Sequence, residues 1–439
     1  LWDGGGFRPP PAVSAAAAAP PLRQTAVDLR LNPPITRERF SFARTRAAEI
    51  DPSASPRLVE WVDGEGRPQM VPDLESPNGA FRVEYSLDEQ LTEEVLSVLK
   101  RGRVKRGHAI VLDPRTGRLL AFVSTDREAF PPEQAYPAAS IVKILTAAAM
   151  LDEQGKPGAS DCVYRGNKYR LNRRRLERQA SGHESSLEDA IATSNNQCFS
   201  QWALDVLGEE KMIETVDRFG WLNSPGPGHE AGRLEPVETE LDLGRLGSGL
   251  DGLRVTPLHV ASLATILTTG REIEPWWVDR VVDAEGRSIA LPERRADRNV
   301  ISVAHAAKLR SMMVGTTTRG TAKRAFRTKR GRKPLLGDIH VAGKTGNLSG
   351  RNPSGRYEWF VGLAPAENPQ IAVVVLQLQS NLWWAKSSEL AANVLRKVFC
   401  DRSGCREGRA DRYTGNLHEG FAPVLMSDLG RPIRVSGLE

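Results

Sequence analysis

Two β-type runs constrain the fold most: HAIVLD at 108–113 and RLLAFVST at 118–125, separated by Pro-Arg-Thr-Gly. Short apolar runs divided by turn residues predict a hairpin. Three more strand runs come late in the chain: IHVAGKTG at 339–346, YEWFVGLAP at 357–365 and QIAVVVLQLQ at 370–379. Helical patterns surround them. SLDEQLTEEVLSVLK at 86–100 opens on a Ser start signal and carries Leu91, Val95, Leu96 and Leu99 on one face. SIVKILTAAAMLDEQG at 140–155 has an apolar stripe, Ile141, Ile144, Leu145, Ala148 and Leu151, which predicts an amphipathic helix ending before Gly155. From about 161 to 270 the chain reads as helical and loop-rich, broken by the Gly-dense LGRLGSGLDGLRVTP. Helical signal returns at 257–269, and a closing amphipathic helix runs near 386–399. This order predicts an α+β fold (α/β in the broad sense), an antiparallel sheet covered by helices with a helical lobe beside it.

The domain boundaries follow from composition. Residues 1–25, rich in Pro and Ala, read as a linker, and 26–84 as a small N-terminal extension or pedestal. The main domain is placed at 85–405, with a C-terminal tail at 406–439. Hydrophobic residues make up 40% and charged residues 26%, the balance of a globular chain. A net charge of +6 suits an anionic setting such as an envelope polymer or lipid surface, and does not point to nucleic acid. No stretch approaches the ~20 apolar residues that span a bilayer. The chain opens on Leu1 rather than Met, so the expectation is that a signal or membrane anchor has been removed. Cys162, Cys198, Cys400 and Cys405 form no CxxC pair and have no His cluster beside them, which argues against zinc. The even count permits disulfides Cys162–Cys198 and Cys400–Cys405, or four thiols. No metal or cofactor is expected.

Three polar motifs occur in order: Ser140-Ile-Val-Lys143, Ser194-Asn-Asn196 and Lys344-Thr-Gly346. A serine hydroxyl is a weak nucleophile until a neighbour takes its proton, and residues three apart share a helix face. Ser140 is therefore the candidate nucleophile and Lys143 its base, with the helix start favouring an anion at Ser140. Lys143 must be neutral to act, which burial and a second cation, Lys344, would favour. Ser194 is expected to relay a proton from a helix-to-helix connection, and Asn196 to hold a substrate amide. Lys344, Thr345, Gly346 and Asn347 follow a strand run whose edge can bind substrate. The backbone N–H groups of Ser140 and Asn347 are the candidate oxyanion hole. Each motif alone is common, so their order and context carry the reading.

From Tyr85 to Phe399 the chain resembles the transpeptidase domain of penicillin-binding proteins. The likeness rests on the motifs and on GHAIVLDPRTGRLLAFVS, SLEDAIATSNNQCFSQWALDVLG, RVTPLHVASLATILTTG, GTAKRAF and AGKTGN followed by WFVGLAPAENPQIAVVVL. The resemblance implies a five-stranded antiparallel sheet flanked by helices and joined to an all-helical lobe. It implies D,D-transpeptidation of peptidoglycan stem peptides ending in D-Ala-D-Ala, covalent inhibition by β-lactam antibiotics, and a site in the bacterial cell envelope, periplasmic and anchored to the inner membrane, beside other cell-wall synthesis proteins. One position departs: Asn347 stands where the family has Thr after Lys-Thr-Gly. Three alternatives stay open: a D,D-carboxypeptidase, a non-catalytic scaffold of the same fold, and a serine β-lactamase with Glu235, Glu238 or Glu240 as its hydrolytic base. The basic stretches LNRRRLERQ at 171–179 and KRAFRTKRGRK at 323–333 read as solvated loops or, if functional, as surfaces for anionic envelope polymers.

Overall fold

The computed structural model describes residues 58–62, 68–72, 82–156, 161–226, 228–282, 288–289, 294–329, 333–379 and 384–414. The expected linker at 1–25 and the end of the expected tail lie outside these residues. Within the expected extension, Leu58–Val62 pairs with Pro68–Pro72, and Arg82–Tyr85 pairs with Val278–Val282 across the boundary placed at 84/85.

Helix α1 (Glu89–Arg101) begins at Asp88, whose carboxylate accepts from Leu91 N–H. The predicted start signal is displaced because Ser86 donates its hydroxyl to Leu119 O instead. Strands β1 (Arg106–Leu112) and β2 (Leu119–Ser124) form the predicted hairpin. They join β3 (Ala342–Gly350), β4 (Gly355–Ala364) and β5 (Ile371–Gln379) in one antiparallel sheet of order β3-β4-β5-β1-β2.

The sheet's two faces build two cores. Ile110 and Leu112 of β1 pack with Ala372, Val374 and Leu376 of β5 on the face toward α2 (Val142–Asp152) and α7 (Pro257–Thr269). Ala109 and Val111, with Ile371, Val373 and Val375, pack on the opposite face with α1 and α9 (Ser387–Phe399). Alternation of side chains along each strand produces this sorting, and cover on both faces explains the unbroken apolar run of β5. The second core also takes in Ala410 and Tyr413, so the folded domain runs past Cys405, where sequence composition ended it.

The lobe holds α3 (Leu187–Thr193), α4 (Asn196–Trp202), α5 (Gly208–Arg218) and α6 (Glu240–Ser248). It also carries two short ladders, Asp161–Tyr164 with His183–Ser186, and Leu253–Val255 between Tyr136–Pro137 and Arg233–Leu234. Two helices differ from expectation. Helix α2 is buried from Val142 to Leu151, not on one stripe, because the sheet covers one side and the lobe the other. Helix α8 (Val303–Thr318) had no periodic signal, and it buries Arg310 and Thr316 among its apolar residues. Among the described residues no helix is long and apolar enough to cross a membrane.

Cys162 is bonded to Cys198 and Cys400 to Cys405. The first pair ties the Asp161–Tyr164 strand to α4, and the second closes a two-residue-strand hairpin after α9.

Candidate active site

The site forms where the free edge of β3 meets the turn that leads into α2. Ser140 lies in a 3₁₀ turn, Ala139–Ile141, and α2 begins at Val142, so Ser140 stands two residues before the α-helix. Two contacts hold this turn. Trp359 of β4 donates its indole N–H to Pro137 O at 2.8 Å, and Ala138 N–H donates to Leu253 O at 2.9 Å. Gly346 lets β3 approach: a Cβ there would stand 3.3 Å from Ala139 Cβ and 3.3 Å from Ile141 Cγ1.

Lys143, one turn on, is fully buried and has three oxygen partners. Its Nζ lies 2.7 Å from Ser140 Oγ, 2.6 Å from Asn196 Oδ1 and 2.7 Å from Ser248 O. The last two oxygens have no proton to give, so Nζ must donate to both. A neutral amine then has its lone pair left for Ser140, and the serine hydroxyl becomes the donor. Burial drives the Lys143 pKa well below the ordinary lysine value, and the charge on Lys344 lowers it further. Ser248 had no signal in the sequence, since its part is a backbone carbonyl at the end of α6.

Ser194 caps α3 in the left-handed conformation, φ 56 and ψ 49, before α4 starts at Asn196. A non-glycine residue held there costs roughly 1–2 kcal/mol. Asn195 caps α4 through its side chain, accepting from Gln197 and Cys198 N–H, which fixes the turn that aims Ser194 and Asn196 inward. Lys344 Nζ donates to Ser194 Oγ at 3.0 Å and to Thr345 O at 2.7 Å. Burial brings the Lys344 pKa down to about 7.

Asn196 makes two hydrogen bonds through its side-chain amide. Its Oδ1 accepts from Lys143 and its Nδ2 donates to Tyr169 O at 2.7 Å, so both ends of the amide are engaged within the protein. Its Oδ1 orients the lysine. The loop that carries Tyr169 also accepts Asn196 and Gln197 N–H on Lys168 O, so residues 167–170 rim the site.

On β3, Thr345 Oγ1 lies 2.6 Å from Thr321 Oγ1, which links the third motif to the Gly-Thr-Ala stretch. Asn347 is exposed, and its Oδ1 accepts from Arg356 Nε at 2.6 Å. Arg356 is a residue that sequence reasoning missed; it comes from the neighbouring strand, nine positions on. The carboxylates Glu235, Glu238 and Glu240 are all exposed, and none bonds Ser140 or Lys143. Thus two hydroxyls, two lysines and a carboxamide converge from three distant segments, with a cationic strand edge beside them.

The chain belongs to the penicillin binding protein transpeptidase domain family, whose family model matches residues 107–399. Among curated relatives it is 25% identical over 313 residues to the peptidoglycan D,D-transpeptidase PbpA of Mycolicibacterium smegmatis, covering 62% of this chain and 61% of that protein. It is 23% identical to stage V sporulation protein D of Bacillus subtilis, covering 72% of this chain and 52% of that one. The chain thus spans about half to two thirds of the length of these relatives. Among solved structures, PBPA from Mycobacterium tuberculosis superposes with a TM-score of 0.59 at 22% identity, covering 72% of this chain and 80% of that one. PBP2 of Pseudomonas aeruginosa, in complex with WCK 5153, gives 0.61 at 22% identity, covering 76% and 84%. These structures share the fold.

Proposed function

We propose that this chain is a monofunctional peptidoglycan D,D-transpeptidase, acting through Ser140 on stem peptides that end in D-Ala-D-Ala. The observation that carries the reading is the hydrogen-bond geometry of Lys143, which directs a lone pair at Ser140 Oγ. In the first half-reaction the serine proton passes to Lys143 as Oγ bonds the penultimate D-Ala carbonyl carbon. The backbone N–H groups of Ser140 and Asn347 receive the oxyanion. As the C–N bond breaks, Ser194 gives its proton to the leaving amine and recovers one from Lys344, its partner at 3.0 Å. The terminal D-Ala leaves, and an acceptor amine from a second stem later attacks the acyl-enzyme to form the cross-link.

Asn347 and Arg356 would hold the terminal carboxylate. Arg356 bonds Asn347 Oδ1 through Nε, which leaves the terminal guanidinium nitrogens and the Asn347 amide N–H₂ as donors. The same pair would receive the carboxylate of a β-lactam, which Ser140 would open and retain. Action on peptidoglycan puts the protein in the bacterial cell envelope, outside the cytoplasm, a setting in which two disulfides persist.

One observation favours a carboxypeptidase reading. Glu235 lines a cavity of about 30 Å³ with Ala139 and Val142, room for a water beside the nucleophile turn. Water as acceptor would turn transfer into trimming. Incubating the protein with stem pentapeptide and an acceptor amine separates the two. Cross-linked product supports the transpeptidase, and free tetrapeptide alone would replace it with the carboxypeptidase. Labelling by a fluorescent penicillin, lost in Ser140→Ala, tests the nucleophile.

A further inference from the structure

We propose that a cleft between α1, α9 and the segment that follows α8 binds a polyol-phosphate chain, the phosphodiester type of envelope polymer. The cleft has a volume of about 1070 Å³ and lies between α1, α9, residues 320–329 and Leu335. Six cations line it: Arg101 from α1, Lys323, Arg324, Arg327 and Lys329 from the segment, and Arg396 from α9. Glu389 is the one carboxylate among the described residues of the lining, and it accepts from Lys386 N–H at the start of α9. Lys323, Arg324, Lys329 and Arg396 form no ion pair with any described residue. Four such cations round one concavity repel one another and focus a positive potential, which an anion relieves.

The chemistry of the lining selects the anion. Four of the six cations are arginines, whose planar forks match phosphate oxygens two at a time. The floor between them is apolar, made by Val98, Ala325, Leu335 and Leu390. A chain that alternates phosphates with short carbon segments meets both surfaces. The volume exceeds that of most small-molecule pockets, so it suits several repeat units. Thr321 forms part of the cleft wall, and its hydroxyl lies 2.6 Å from Thr345 Oγ1. A chain seated here would therefore run along the outer side of the third motif. The proposal does not depend on the Ser140 chemistry.

The test is fluorescence anisotropy of a fluorescein-labelled glycerol-phosphate oligomer titrated with the full chain at low salt. Binding that weakens as salt rises is expected. The triple variant Lys323→Gln, Arg324→Gln, Arg396→Gln should lower affinity about tenfold or more, the effect of losing three charge-assisted contacts. Its thermal unfolding transition should match that of the parent, which reports an intact fold. The variant Arg173→Gln, Arg174→Gln, Arg175→Gln removes the same charge elsewhere and should bind within about twofold of the parent. The proposal is overturned if the cleft variant binds like the parent or if the two triple variants lose affinity equally. It is also overturned if polygalacturonate or single-stranded DNA competes at equal charge as well as unlabelled glycerol-phosphate oligomer does.

Discussion

Burial pushes both lysines of the site toward the neutral form, and the charge on Lys344 pushes Lys143 further. Lys143 is buried with three oxygen partners and faces a second cation, while Lys344 is held by a hydroxyl and one carbonyl. The productive form has Lys143 neutral and Lys344 charged. Acylation should then rise with pH as Lys143 loses its proton, and fall as Lys344 loses its own near its pKa of about 7. A stopped-flow pH profile of penicillin acylation checks this, and a descending limb near neutral pH is the expected result. Lys344→Arg keeps the charge and should move that limb upward out of the neutral range, since arginine titrates far above a depressed lysine. A profile flat across neutrality would remove Lys344 from the mechanism. Lys143→Ala should slow acylation by roughly 10²–10⁴, the usual contribution of a positioned base. These residues were legible in the sequence because each motif joins two reactive groups at short spacing. The Ser248 carbonyl, Tyr169 carbonyl and Arg356 were not, since two act through backbone and the third gains meaning only from strand register.

At the scale of elements, the site depends on β3 lying against the Ser140 turn. Gly346→Ala would place a methyl 3.2 Å from Trp359 Cβ and 3.3 Å from both Ala139 and Ile141 side chains, tighter than ordinary contact. The strand would shift outward, so acylation should drop at least about tenfold with the thermal transition lowered by only a few degrees. Equal activity would mean that this contact does not set the geometry. The Cys162–Cys198 bond anchors α4, which carries Asn196, to the strand before the Tyr169 loop. Cys162→Ser should cost about 2–4 kcal/mol in urea unfolding and slow acylation by loosening Asn196. The hairpin β1–β2 and helices α1, α7 and α9 could be read from periodicity, because each has a clear face or a clear turn. Helix α8 could not, as it is covered by other elements around much of its girth and carries polar residues inside.

Across the whole molecule, the sheet separates two cores, and the core on the side of α2 and α7 also buries histidines. His108 stacks on Phe130, and burial depresses its pKa to about 3; His229 is held at about 3 and His259 at about 4, again by burial first. The unfolded chain binds protons on these rings below about pH 6.5, where the folded one does not. Stability is therefore full above that pH and declines as pH falls toward the folded values, by about 2 kcal/mol per ring at pH 5. Urea midpoints measured at pH 7 and pH 5 test this, and His108→Phe should reduce the difference. An unchanged midpoint would mean that the rings gain protons in the native state. The fold class was legible from the order of strands and helices, whereas the domain's end was not, because Ala410 and Tyr413 show their part only once α9 is in place.

The central claim is that Ser140, activated by Lys143, is the group that becomes acylated. Intact-protein and peptide mass spectrometry after exposure to benzylpenicillin measures it directly. The account predicts one added penicillin per chain, located on the peptide that contains Ser140, and none in Ser140→Ala. An unmodified wild-type protein, or an adduct on any other residue, would contradict it.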